Sequence, residues 1–272
     1  MSPRVCVLLG PYRNLTTLTS AALFLHPRCQ VLNHQASQFF DHAGIDFIAQ
    51  PSAAHVAAFV KQALVVAAAE GSLLESHAFR ESLPALDAFR RLRLARVRTD
   101  IDVLLWKESL RVTNRLRHAP GLVEALTAIP EVRFLMPVRF PLDCARSNFR
   151  SGHVHLFHGL YRDSSLRELL DAILDLVGWF DALALRHPQS FLQFHEHELA
   201  DPELLKRIGC FSGLPPETVW PRAAIDVFCS RPSTYHHTTR DRRMYVGLVE
   251  ERFANAPSLR DRLVAPLVTH AA

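Results

Sequence analysis

Cysteine is scarce and scattered. Cys6, Cys29, Cys144, Cys210 and Cys229 are odd in number and form no Cys-x-x-Cys pair, which argues against a disulfide framework and a thiolate zinc site. Long apolar runs are also missing. The first, at 5–9, stops at Gly10-Pro11 and is too short for the apolar region of a secretion signal. The stretch 53–70 is rich in alanine and carries His55 and Lys61, so it reads as a buried helix rather than a membrane span. A cytoplasmic protein is expected. No basic run is interleaved with aromatics, so nucleic acid is not an expected partner. The charge balance is only mildly basic, 31 Lys+Arg against 27 Asp+Glu, which suits an anionic ligand or an ordinary solvated surface. Nearly all of the basic charge is arginine; with the Ala and Leu richness this suggests a GC-rich bacterial source.

What is present is a globular composition, 49% hydrophobic and 21% charged over 272 residues, enough to bury a large core. No repeat or composition shift divides the chain, so a single domain over 1–272 is expected, with a helical insertion at about 51–98. Short apolar runs at 5–9, 30–33, 101–106, 132–138 and 191–194 read as strands. Helical patterns follow at 15–25, from 107 through 126, from about 142, and near 202–210, and 166–185 is an amphipathic helix. This alternation predicts an α/β fold with a central parallel sheet of about five strands flanked by helices. Functional residues are then expected just beyond the carboxyl ends of the strands.

Two segments there carry chemistry. Gly10-Pro11-Tyr12-Arg13-Asn14-Leu15-Thr16-Thr17 joins the first strand to its helix. Such a loop presents unpaired N–H groups at a helix N-terminus, an anion site to which Arg13 and the two threonines add donors. A Walker A loop would need Gly at 15 and Lys at 16, and has neither here. In the second segment Arg139 ends a strand, Pro141 suits a first helical turn, and Ser147 lies two turns along the following helix. An arginine and a hydroxyl so placed can grip one phosphate together.

With both segments in view, the chain resembles the sulfotransferases that use 3′-phosphoadenosine-5′-phosphosulfate (PAPS), which have a P-loop-like α/β fold. That family opens with a strand, a Pro-Lys/Arg-Ser-Gly-Thr-Thr loop and a helix. It continues with a strand ending Arg-x-Pro-x-Asp and a serine eight residues after the Arg. Arg139, Pro141, Asp143 and Ser147 match the second motif at every spacing; Arg13, Thr16 and Thr17 match the first. Leu104-Leu105-Trp106-Lys107-Glu108 resembles the family's strand ending in Lys. The segment from Phe194 to Pro202 resembles its Tyr-Glu-Asp-Leu-x-x-Asp-Pro stretch, and Phe211-Ser212-Gly213-Leu214-Pro215 its Phe-Leu-Gly-Leu-Pro ending. The likeness spans roughly 4–50 and 100–216. Tyr12, Asn14 and Leu15 depart from the family's Pro, Ser and Gly. Leucine tolerates positive φ poorly, so either the loop backbone differs or position 15 is helical.

The resemblance implies sulfonyl transfer from PAPS to a hydroxyl on a carbohydrate, phenol, lipid or peptide, without a metal. It implies that Arg13, Asn14, Leu15, Thr16 and Thr17 cradle the 5′-phosphosulfate and that Arg139 and Ser147 hold the 3′-phosphate. Arg231 would stand in for the family's C-terminal Arg-Lys-Gly segment. Arg13 and Lys107 would neutralise developing charge, and His34, just after the second strand, would be the general base. His153, His155 and His158 are expected near the acceptor; they and the pairs His195/His197 and His236/His237 join no His-Glu-x-x-His pattern. Two other readings remain. A P-loop kinase is opposed by Thr16 at the Walker lysine position and by the want of a clear strand-end aspartate for Mg²⁺. A catalytically silent nucleotide-binding relative is favoured by Leu15.

Overall fold

A computed structural model describes residues 2–33, 39–42, 44–69, 83–229 and 235–269. Five strands, β1 (Arg4–Leu8), β2 (Cys29–Asn33), β3 (Val103–Lys107), β4 (Val132–Val138) and β5 (Phe191–His195), form one sheet in the order β2-β3-β1-β4-β5. Every pairing is parallel. The sequence reading of a parallel α/β sheet holds, and β1 lies at its centre, paired to both β3 and β4.

The strands are apolar at nearly every position because both sheet faces are covered. Val5, Val7, Leu104, Trp106, Val132, Phe134, Met136 and Val138 enter one core, while Cys6, Leu8, Val103, Leu105 and Leu135 enter the other. This is the two-residue alternation of a pleated strand. The first core receives α2 (Ala53–Ala69), α4 (Leu110–His118), α5 (Leu122–Thr127), α7 (Leu166–Arg186), α10 (Thr239–Arg252) and α11 (Pro257–Thr269). The second receives α1 (Thr16–Phe24), α3 (Leu83–Arg91), α8 (Pro202–Ser212) and α9 (Trp220–Cys229). Helix α6 (Pro141–Arg150) follows β4, adds Leu142, Cys144 and Ala145 to the first core and packs on α7.

Several boundaries differ from the sequence reading. The expected helix through 126 is two helices, because Pro120 cannot continue α4 and Gly121 takes φ 74°. Strand β3 runs one residue further and ends on Lys107. Helices α9 to α11 were not read from the sequence. Of the expected insertion, α2 and α3 are described and 70–82 lie outside the described residues, as do His34 and Arg231. No described helix is long and apolar enough to cross a membrane.

Helix α7 is started by a capping box: Ser165 Oγ accepts from Glu168 N at 3.2 Å, and Glu168 Oε2 accepts from Ser165 N at 2.7 Å. Ser165→Ala removes one arm of it. Urea denaturation should show a loss of about 1 kcal/mol with an unchanged m-value.

Candidate functional site

The loop after β1 is built around one buried amide. Pairing of β1 with β4 ends when Leu9 N donates to Leu135 O at 2.8 Å. Beyond that point the chain turns away at Gly10 (φ 114°), leaving the β1-facing groups of β4 without a strand. Asn14 takes the vacated rung. Its Oδ1 accepts from Arg139 N at 2.8 Å and its Nδ2 donates to Pro137 O, as a backbone peptide of a longer β1 would. Pro137 costs the β4–β5 ladder no bond, because its missing N–H is on the β1 side, past the last paired residue Leu135. A Cβ on Gly10 would come within 2.8 Å of Asn14 Nδ2, so glycine is required there for space as well as for φ.

Three further ties hold the loop. Tyr12 O accepts from Asn148 Nδ2 at 2.8 Å and from Cys144 Sγ at 3.4 Å, both on α6. Gly10 N donates to Thr113 Oγ1 at 2.8 Å, and Thr113 donates in turn to Ser109 O. Ser109 N donates to Leu8 O at 2.9 Å and Ser109 Oγ to Thr16 Oγ1 at 3.0 Å. So held, Arg13 (φ 64°) and Leu15 (φ 61°) both adopt the left-handed conformation. Leu15 is therefore not right-handed helical: it takes the shape a glycine would take at this position. Its side chain packs against the second core, which offsets part of a backbone cost of about 1–2 kcal/mol.

The structure brings three of the expected cations and one hydroxyl to the same end of the sheet. Arg13 Nε donates to Ser147 Oγ at 3.0 Å, across 134 residues of sequence. Arg139, at the end of β4, has its Nε shielded from solvent and without a hydrogen-bond partner among the described residues, and lies 3.8 Å from Asp143. Lys107 ends β3 with Nζ donating to Asn33 Oδ1 at 3.1 Å. Burial pushes its ammonium pKa down to about 8; Glu108 opposes that shift and the Arg13 charge adds to it.

The remaining expected residues divide. Thr16 is buried and its oxygen already accepts from Ser109, Thr17 is half-buried, and the Asn14 side chain points inward, leaving the loop face to its backbone. His153 lies against the Tyr12 ring at 5.5 Å, and its pKa is lowered by burial first and then by Arg13 and His155. His155 and His158 are exposed, and the His158 ring lies tilted against that of His118 at 4.6 Å. His195 is buried with its pKa pushed down to about 3 by desolvation, which makes it a neutral core group. Among the described residues no three His, Cys, Asp or Glu side chains gather as metal ligands. The parts that motif reading missed are Asn33, Thr113, Asn148 and the pairing of His237 with Asp143 at 2.6 Å. Each is identified by a partner distant in sequence.

Asn14→Ala would strand Arg139 N and Pro137 O in a buried place. It should lower the unfolding free energy by roughly 2–4 kcal/mol, measured by denaturant titration, whereas Thr17→Ala should cost less than about 1 kcal/mol.

No family model matches this chain, and no curated protein sequence does. Solved structures do. The mouse sulfotransferase SULT7A1, complexed with PAP, superimposes over 100% of this chain and 90% of its own, with a TM-score of 0.52 and 11% identity. The sulfotransferase from Alicyclobacillus acidocaldarius aligns over 96% of this chain and 97% of its own at TM-score 0.46 and 15% identity, and STF9 from Mycobacterium avium over 94% and 76% at 0.47 and 12%. The fold assignment rests on the first of these together with the five-stranded parallel sheet: the chain has the sulfotransferase fold.

Proposed function

We propose that this protein transfers a sulfonyl group from PAPS to a hydroxyl acceptor. The observation that carries the reading is the meeting of Arg13 and Ser147 at 3.0 Å. It joins the loop after β1 to the helix after β4, with Lys107 presented from the end of β3. The SULT7A1 structure of the same fold holds PAP, which supports a 3′-phosphoadenosine nucleotide as the donor here.

The residues present fit such a ligand. The shielded, unpartnered Nε of Arg139 is a donor in need of an acceptor, and a phosphate oxygen would supply one, with Ser147 Oγ beside it. PAPS itself supplies the activated sulfonyl group when bound. Arg13 and the loop N–H groups from Asn14 to Thr17 hold the phosphosulfate end. Arg13 and Lys107 stabilise the negative charge that grows on the bridging oxygen as the sulfur–oxygen bond to the nucleotide breaks. His34 takes the proton of the acceptor hydroxyl as its oxygen bonds to sulfur. Arg231, outside the described residues, is a further candidate nucleotide contact in place of the family's C-terminal basic segment. The acceptor enters on the Tyr12–His153 side of the loop, where that ring pair offers apolar contact beside Arg13.

Adenosine 3′,5′-bisphosphate without metal should raise the melting temperature, and ATP with Mg²⁺ should not; the opposite result would favour the kinase reading. Arg139→Ala should weaken bisphosphate binding by roughly 10- to 150-fold, as a charge-assisted bond worth about 1.5–3 kcal/mol is lost. His34→Ala should leave that affinity intact and lower turnover about 10²- to 10⁴-fold.

Lys107 sets the pH dependence. A lowered lysine pKa means the ammonium is present below pH about 8 and lost above it. Nucleotide binding favours the charged form, so calorimetry at pH 9 should show proton uptake on binding and a weaker affinity than at pH 7. In Lys107→Met the proton uptake should vanish.

A further inference from the structure

Helix α6 carries more than the three residues its motif accounts for, Pro141, Asp143 and Ser147. Asp143, Ser147 and Arg150 succeed one another at spacings of four and three residues, which places them along one face of that helix. The chain segment at 235–241 lies across this region. His237 Nε2 donates to Asp143 Oδ1 at 2.6 Å, with the two side chains only 5% and 3% exposed. Arg146 pairs with Asp241 at 2.8 Å, and Phe140 meets the rings of His237 and Tyr245 edge-on. A capping box on Thr238 then starts α10. These ties fix where Tyr235 sits.

Two guanidiniums converge on its ring. The Cζ of Arg139 is 5.4 Å from the Tyr235 centroid and that of Arg150 is 5.2 Å. Each gains from the negative face of the ring, but two like charges brought to one ring also repel. Asp143 offsets this for Arg139 alone, and its carboxylate is shared with His237. It is 3.8 Å from Arg139 and engaged at 2.6 Å with His237, and no carboxylate pairs with Arg150 among the described residues. With Arg13 on Ser147, one turn back along α6, the surroundings are strongly cationic. An anion of high charge density seated between these groups would convert the repulsion into attraction.

We propose that Arg150 is a second guanidinium for the phosphate monoester gripped by Arg139 and Ser147, and that Tyr235 is the positioning residue that sets the spacing of the two arginines. This rests on the nucleotide reading above and goes beyond its motif. The site then selects for a doubly charged terminal phosphate on the ribose, and a nucleotide lacking that group forfeits both arginines together.

The test compares two ligands, adenosine 3′,5′-bisphosphate and adenosine 5′-phosphate, by calorimetry on the full chain. Arg150 is exposed at a helix end, so Arg150→Gln is expected to fold, and its melting temperature checks that. Its affinity for the bisphosphate should fall about tenfold, the size of one charge-assisted contact, while its affinity for the 5′-phosphate stays unchanged. Tyr235→Ala should shrink the same preference, and Tyr235→Phe, which keeps the ring, should restore it. An equal loss for both nucleotides would reduce Arg150 to a general contribution to the field and overturn the proposal; so would no loss for either. A wild type that binds neither nucleotide overturns the nucleotide reading as well. A wild type that prefers the bisphosphate while Arg150→Gln keeps that preference overturns this inference alone.

Discussion

The site depends on one side-chain amide. Asn14 supplies the hydrogen bonds that β1 would have given to Pro137 and Arg139 had it continued. The loop is thereby fastened to the strand end that carries Arg139. Buried polar groups of the backbone must be paired, so a loop that leaves a central strand early leaves a debt on its neighbour. Asn14 meets that debt with a group of the same chemistry as the peptide it replaces. Arg13 directly precedes Asn14, so the same hydrogen bonds set the loop cation beside the strand end that leads into α6 and Ser147.

That fastening lets the loop hold an unusual shape. Arg13 and Leu15 sit at positive φ, two non-glycine residues in one short turn. Such strain persists only where surrounding contacts over-determine the backbone. Here the contacts are the Tyr12 carbonyl on Asn148 and Cys144, the Gly10 amide on Thr113, and the Thr16 hydroxyl on Ser109. They come from α4 and α6, the helices after β3 and β4. The strands on either side of β1 thus contribute both the charged groups of the site and the struts that aim the loop between them. Lys107 shows the electrostatic counterpart: burial at the end of β3 brings its pKa down to about 8, so its charge is held against a desolvation penalty that an arriving anion would relieve.

The fold and the ends of its strands were legible in the sequence because a doubly covered parallel sheet writes itself as short apolar runs between amphipathic helices. The 132–138 run, Pro141 at the helix start and the Arg139–Ser147 spacing are all local, and the structure keeps each of them. The split between α4 and α5 is also written locally, in Pro120-Gly121, although the apolar spacing continues on both sides. Leu15 was legible only as a conflict. Its φ follows from hydrogen bonds to helices about a hundred residues away.

By itself, then, the sequence determined the alternation of strands and helices in the sheet, its two covered faces and the two segments proposed to grip phosphate, since these depend on periodicity and on spacing within one element. Tertiary structure alone decided that Asn14 turns inward to complete β4, that Arg13 reaches Ser147, and that Arg139 and Arg150 both meet the ring of Tyr235. These are contacts between groups separated by 85 to 134 residues. They exist only because the strand order β2-β3-β1-β4-β5 sets the loop after β1 beside the helix after β4. No local pattern encodes that adjacency: it follows from which strands pair, and pairing is settled by burial on both faces of the sheet at once.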